Sequence, residues 1–206
     1  MALTLADVAR RFKPGGLGRR LGPLLLMTDA RRLPDPLPAV AALPPGSGVV
    51  LRHYEWPEAE RLRLGRILAA LCRARRLHLL VAADTGLAAA LRADGLHLPE
   101  YRLRQGAARA RLWRRGRGGV LIAAAHSGLA LARGRRAGVD AALLSPVFPT
   151  ASHPGAPCLG PWRFHALRRR VKLPVYGLGG ITPETARIVR LLGAAGIATA
   201  GDGLAK

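Results

Sequence analysis

Residues 174–200 read PVYGLGGITPETARIVRLLGAAGIATA, and the order of patterns inside this stretch decides the fold. PVYGL (174–178) is a short apolar run whose length and turn-rich flanks suit a buried strand. GLGGIT follows, too rich in glycine to continue a strand. Thr182-Pro183 then sets an N-cap beside a proline at the first helical position, and predicts a helix from Pro183 to Leu192. GIATA (196–200) is a second apolar run. Strand, loop, helix and strand in this order make a parallel βα unit.

The same alternation recurs towards the N-terminus. LLLMT (24–28), GVVLR (48–52), HLLVA (78–82), GLHL (95–98), VLIAA (120–124) and AALLS (141–145) read as further strands. Helices are expected at Glu58 to Arg75, with Leu62, Ile67, Leu68 and Leu71 at helical spacing, at Gly86 to Arg92, and at Ser127 to Ala137 behind a serine cap. Nearly continuous apolar runs mean that each strand is covered on both faces. Eight such units predict a single-domain α/β fold, a (β/α)8 TIM barrel over residues 21–206. Residues 1–20 form an N-terminal extension, where Leu3, Leu5, Val8 and Phe12 suit a short amphipathic helix. The rival is an open doubly wound sheet, but TDARRLPD follows the first strand where a dinucleotide fold would carry GxGxxG.

Composition excludes several function classes. The 206 residues contain no apolar run long enough to cross a membrane, and MALTLADVARRFKPGG lacks the apolar core of a secretory signal. Cys72 and Cys158 sit in no metal or redox motif, and are read as reduced thiols of a cytoplasmic protein. The formal charge of +21 invites a nucleic-acid partner. Against it, only Lys13, Lys172 and Lys206 of the 33 basic residues are lysine, the arginines are dispersed, and aromatics for base stacking are scarce. A small anionic ligand is the expected partner, not nucleic acid or membrane. Assembly into a homo-oligomer is left open.

In a barrel the chemistry sits where strands end. Thr28 and Asp29, then Arg52, His53 and Tyr54, then Asp84, His97 with Glu100, and His126 with Ser127 occupy those positions in chain order. The loop SPVFPTASH follows the sixth strand, holding out Thr150, Ser152 and His153. Gly179 and Gly180 follow the seventh strand, and Ala200 and Gly201 the eighth. Glycines there let backbone N–H groups approach a ligand, and these two loops together suit a phosphate, although either alone reads better as a tight turn. His126 is either a proton carrier or a rim histidine with a structural hydrogen bond. Arg52 ends a buried strand and needs an anion. His97 is expected to be a core or rim histidine with its hydrogen bonds satisfied, and His53 and His165 to lie on the surface.

The order LLLMTD, VVLRH, ADGLHL, AHS, SPVFPTASHPGAPCLG and GLGGITPE resembles the thiamine-phosphate synthase and thiazole tautomerase family across residues 24–203. The resemblance implies a (β/α)8 barrel and an enzyme of thiamine biosynthesis. In such synthases a pyrimidine diphosphate joins a thiazole phosphate with the help of Mg2+. Carried over, Arg52 would meet the diphosphate, Thr150 and Ser152 the thiazole, and Gly179, Gly180, Ala200 and Gly201 its phosphate. Ala82 and Ala83 replace the family's Asn-Asp pair, Arg102 lies near the place of a metal-ligating acid, Tyr54 replaces a basic residue, and His153 replaces a lysine.

The tautomerase branch needs no metal, and its catalytic histidine matches His126. The leading expectation is therefore metal-independent proton transfer by His126 on a thiazole phosphate, with Arg52, Thr150, Ser152 and His153 binding substrate. No cofactor is expected, unless Asp29, Asp84 or Glu100 takes up Mg2+ in a divergent synthase. A non-catalytic phosphate-binding barrel is the further alternative.

Overall fold

The computed structural model describes residues 3–12, 17, 20–105, 107–150, 155 and 157–200. Eight strands form one closed parallel barrel: β1 (Leu24–Met27), β2 (Gly48–Leu51), β3 (His78–Ala82), β4 (Gly95–Leu98), β5 (Val120–Ala125), β6 (Ala141–Leu144), β7 (Val175–Leu178) and β8 (Gly196–Ala200). Each strand pairs with the next in sequence. β8 closes the ring on β1, with Ala200 opposite Met27.

The side chains sort by parity along each strand. Leu25, Met27, Val50, Leu80, Ala82, Ile122, Leu143, Tyr176 and Ala198 fill the barrel interior. Leu24, Leu26, Val49, Leu51, Val81, Leu96, Leu121 and Ile197 pack outward beneath the helices. Both faces are buried, so no polar alternation is written into the strands. Each fully buried leucine contributes roughly 1.5–3 kcal/mol of transfer free energy.

The connecting helices are α2 (Leu37–Ala41), α3 (Glu58–Arg75), α4 (Thr85–Ala90), α5 (Glu100–Arg104), α6 (Ala108–Arg117), α7 (Gly128–Arg136), α8 (Gly160–Arg169) and α9 (Pro183–Leu191). Before the barrel, α1 (Leu5–Ala9) starts at a capping box. Thr4 accepts the Asp7 N–H (3.2 Å), and the Asp7 carboxylate accepts the Thr4 N–H (3.1 Å). This helix packs against α9.

Three helices begin for reasons visible in the sequence. Ser127 accepts from the Ala130 N–H, Thr182 from Thr185, and Asp84 from Leu87. The Asp84 cap starts α4 one residue before the expected Gly86. The buried face of α3 differs from expectation. Leu64, Gly65, Leu68, Ala69 and Cys72 face inward, while Ile67 is 47% exposed. Gly65 sets that rotation, since a Cβ there would lie 2.5 Å from a Leu91 methyl group. The short helices α2 and α5, and the arginine-dense α6 and α8, were not anticipated.

No described helix is long and apolar enough to cross a membrane.

Candidate active site at the strand C-termini

The first two strand ends are tied by Thr28, a fully buried hydroxyl. The Arg52 backbone N–H donates to Thr28 Oγ1 at 3.0 Å, and Oγ1 lies 2.9 Å from His53 Nδ1. The hydroxyl oxygen can accept a second hydrogen bond besides that from Arg52, so the Thr28–His53 contact is compatible with either neutral tautomer of the ring. His53 is 1% exposed and meets Trp56 edge-on, with ring centroids 4.4 Å apart. The surface position expected for His53 is thus corrected. Its backbone turns at a φ of 39°, folding the ring back under the rim. Burial lowers its pKa and keeps it neutral, against the opposing pull of Asp29.

Asp29 is the anion that Arg52 meets. Its Oδ2 lies 2.6 Å from Arg32 Nη2 and 3.6 Å from Arg52 Nη2, and its Oδ1 accepts the Arg31 and Arg32 backbone N–H groups at 3.1 Å each. Burial alone would raise its pKa. The Arg32 hydrogen bonds outweigh that, so the carboxyl is held well below the usual carboxylate range.

At the next strand end stands a residue the sequence did not single out. Arg61 reaches from α3, only 11% exposed, to donate to the Ala82 carbonyl at 2.7 Å and to approach Asp84 at 3.4 Å. Its guanidinium carbon lies 5.6 Å from the Tyr54 ring centroid, and that of Arg52 lies 5.8 Å from it. Two cations therefore flank one aromatic ring at the mouth. Ala83 beside them holds a left-handed φ of 63°.

His126 follows β5. Its backbone N–H donates to Glu100 Oε2 at 2.9 Å, and Nδ1 lies 2.9 Å from the Ser145 carbonyl oxygen. A carbonyl can only accept, so Nδ1 carries a proton, and in the neutral ring the lone pair is then on Nε2. The side chain is exposed at the rim. Ser145 Oγ, at 3.2 Å from the same nitrogen, braces the ring further.

Gly179 and Gly180 have φ values of 94° and 63°. The Phe148 N–H donates to the Gly179 carbonyl at 3.1 Å, and the Val147 N–H to Leu178 at 2.9 Å. A Cβ on Gly180 would sit 2.4 Å from the Pro149 oxygen, and one on Gly179 2.9 Å from Pro146 Cα. The glycines thus have a local cause: the PVFP loop lies directly across them. Ala200 stands at the end of neighbouring β8. Thr150 is half-buried at the far side of that loop. Ser152, His153 and Gly201 lie outside the described residues.

His97 departs furthest from expectation. It is 5% exposed, and neither ring nitrogen has a hydrogen-bond partner among the described residues. A satisfied core histidine was expected. His165 also differs, being half-buried with Nδ1 3.0 Å from the Leu192 carbonyl.

The carboxylates proposed for Mg2+ are otherwise engaged. Asp29 is held by arginines and backbone N–H groups, Asp84 caps α4 and faces Arg61, and Glu100 accepts from His126 and lies 3.9 Å from Arg104. No three Asp, Glu, His or Cys residues converge as a cation cage among the described residues. Magnesium is usually bound through one or two protein carboxylates together with substrate phosphates and water, and each of these carboxylates is instead engaged by an arginine or a backbone N–H, so as they stand they do not fit it. Two cavities lie away from these strand ends. One of about 310 Å³ opens at the opposite barrel end, beside Phe12, Leu21 and Tyr176, and one of about 570 Å³ lies between α3 and α4.

A family profile described as thiamine monophosphate synthase matches residues 28–202. A protein of Aquifex aeolicus, provisionally named thiamine-phosphate synthase 2, is 33% identical over 150 residues, spanning 73% of this chain and 78% of its own. The thiamine-phosphate synthase of Methanospirillum hungatei is 30% identical over 151 residues, 73% of this chain and 72% of its own. The solved structure of a thiamine phosphate pyrophosphorylase from Pyrococcus furiosus shares the fold at a TM-score of 0.71 and 25% identity, covering 88% of this chain and 86% of that one.

Proposed function

The chain belongs to the thiamine monophosphate synthase family, enzymes of thiamine biosynthesis, and on that premise we propose that it binds a phosphorylated thiazole at the barrel mouth and moves a proton on the ring through His126. One observation carries this reading: the 2.9 Å contact between His126 Nδ1 and the Ser145 carbonyl. It fixes the tautomer whose free Nε2 can take a proton from one position of a ring and return it at another. The double bonds of the substrate shift and no atom is gained or lost.

In this reading backbone N–H groups at Gly179, Gly180, Ala200 and Gly201 hold the phosphate, so that proximity lowers the barrier. Thr150, Ser152 and His153 meet the heterocycle. Arg52 exchanges its long contact with Asp29 for the ligand's carboxylate or a second phosphate. Glu184, in the first turn of α9 with its carboxylate on the Thr182 hydroxyl (2.7 Å), opposes an anion there. The ligand therefore approaches from the side of β8.

A second reading is condensation of a pyrimidine diphosphate with the thiazole phosphate, as the names of the relatives indicate for those proteins. Arg52 and Arg61 flanking Tyr54 support it by supplying positive charge for a diphosphate. The carboxylates of Asp29, Asp84 and Glu100 are each already engaged by an arginine or a backbone N–H.

Incubation of the pure protein with a thiazole carboxylate phosphate, beside a sample also containing the pyrimidine diphosphate and Mg2+, separates the two by product mass. An isomer of unchanged mass in both supports proton transfer. A condensed product only in the second supports the synthase. Ligand binding without product in either leaves a phosphate-binding barrel.

A further inference from the structure

The cavity of about 570 Å³ between α3 and α4 takes no part in the function proposed above. It lies on the outer wall of the barrel, near the ends where β3 and β4 begin, away from His126. Its floor is apolar and includes Ala69 of α3 and Ala90 of α4, side chains short enough to leave the room. Its rim is cationic, with Arg66 and Arg73 reaching from α3 and Arg92 standing just past α4. None of these three guanidinium groups has an ion pair or hydrogen bond among the described residues. The one acid among the described lining residues, Asp94, is turned towards β3, where its Oδ2 accepts the Leu79 N–H at 2.8 Å. Arg73 suits the negative end of α3, but Arg66 stands about two turns earlier. Like charges around a concave wall raise the local potential and draw an anion in.

We propose that this cavity is a second ligand site, separate from the barrel mouth, which takes a small molecule bearing a diphosphate. The volume falls within the range of small-ligand pockets, roughly 300–1,000 Å³. Arginine is the side chain suited to phosphate, because its planar fork can meet two oxygens at once. The cations stand on two different elements, and two linked phosphate groups can be shared between them where one cannot. Asp94 sets the orientation: it repels the phosphates towards the arginines and leaves Oδ1 to accept from a hydroxyl or amino group on the rest of the ligand. The inference does not depend on the reaction at the mouth, so the two stand or fall separately.

The fold supplies a matched pair for the test. Arg92 and Arg76 hold the same place after α4 and α3, with left-handed φ values of 50° and 55° and N–H groups donating to Ala89 and Arg73. Arg92 lines the cavity, and Arg76 is not among its lining residues. Glycine suits this conformation, so Arg92→Gly and Arg76→Gly should each leave the unfolding midpoint unchanged or raise it by up to about 8 °C. Inorganic pyrophosphate and inorganic phosphate are titrated by calorimetry into the full chain carrying Arg52→Met, which removes the guanidinium expected to hold an anion at the mouth. Pyrophosphate should bind more tightly than phosphate. Arg92→Gly should weaken it about two- to fivefold, the worth of one exposed ion pair, and adding Arg66→Gln and Arg73→Gln should bring the loss to about 10- to 100-fold. Arg76→Gly removes the same charge and should leave the affinity unchanged. Absence of pyrophosphate binding, equal losses in Arg92→Gly and Arg76→Gly, or phosphate bound as tightly as pyrophosphate overturns the inference. So does a midpoint lowered by Arg92→Gly alone, because the arginine would then serve the fold and not a ligand.

Discussion

Replacing Gly180 by alanine tests whether the glycine pair is demanded by the fold before any ligand arrives. At a φ of 63° an L-residue is strained by roughly 1–2 kcal/mol. The added Cβ would also meet the Pro149 carbonyl at 2.4 Å and Phe148 Cβ at 2.7 Å, both on a loop pinned by hydrogen bonds to Leu178 and Gly179. Forcing an atom into such a contact costs roughly 1–3 kcal/mol. Together these predict a loss of about 2–5 kcal/mol, or a midpoint lowered by about 4–20 °C for a chain of this size. Gly46→Ala is the control. Its φ is 83°, but an added Cβ would meet nothing within 4 Å, so backbone strain of roughly 1–2 kcal/mol stands alone. The gain from restricting the unfolded chain is common to both variants and cancels. Urea titrations with thermal melts supply the comparison, valid where the denaturant slope is unchanged. If Gly180→Ala unfolds together with Gly46→Ala, the loop does not press on the glycine as described.

Three further outcomes follow from the site. His126→Ala should lower turnover by about 100- to 10,000-fold while thiazole phosphate affinity stays within a few-fold, read by kinetics beside calorimetry. Arg52→Met should weaken thiazole carboxylate phosphate by about 10- to 150-fold, the worth of one charge-assisted hydrogen bond, as measured by titration. Acid titration of stability carries a sign. His97 and His53 have folded pKa values below their unfolded ones, so the unfolded chain takes up protons first. Stability is full above about 6.5 and falls as pH drops towards about 3, with a limiting slope of about 1.4 kcal/mol per pH unit for His97. Asp29, with its pKa depressed, adds a further loss as pH falls below about 3.9. His97→Leu should flatten the upper part of that curve in urea titrations run at each pH.

The barrel was legible because its strands are covered on both faces, and runs such as LLLM and AALL say so without knowledge of their partners. The caps at Ser127 and Thr182 were legible because an N-cap is a local event. What stayed hidden depends on closure of the ring. That His97 faces the lumen with no hydrogen-bond partner among the described residues depends on strand parity and on which neighbours are alanine, neither of which the chain states near Leu96. Arg61 lies on a helix among many arginines, and only the packing of α3 against β3 brings it to the Ala82 carbonyl. The helices α6 and α8 hid for a related reason. Their buried sides are as small as Ala110 and Trp113, or Phe164, among arginines. Glu100 gave no sign that it would accept from the His126 backbone across 26 residues. The glycines were read as ligand-facing, and the structure adds that their absent side chains make room for Pro146 and Pro149.

The central claim is proton transfer by His126 on a ring held by its phosphate, and its most direct measurement is turnover of a thiazole carboxylate phosphate in D2O with chelator present. The account predicts an isomer of the substrate carrying solvent deuterium, formed by wild type and abolished in His126→Ala. No isomer from wild type, or undiminished conversion by His126→Ala, would contradict it.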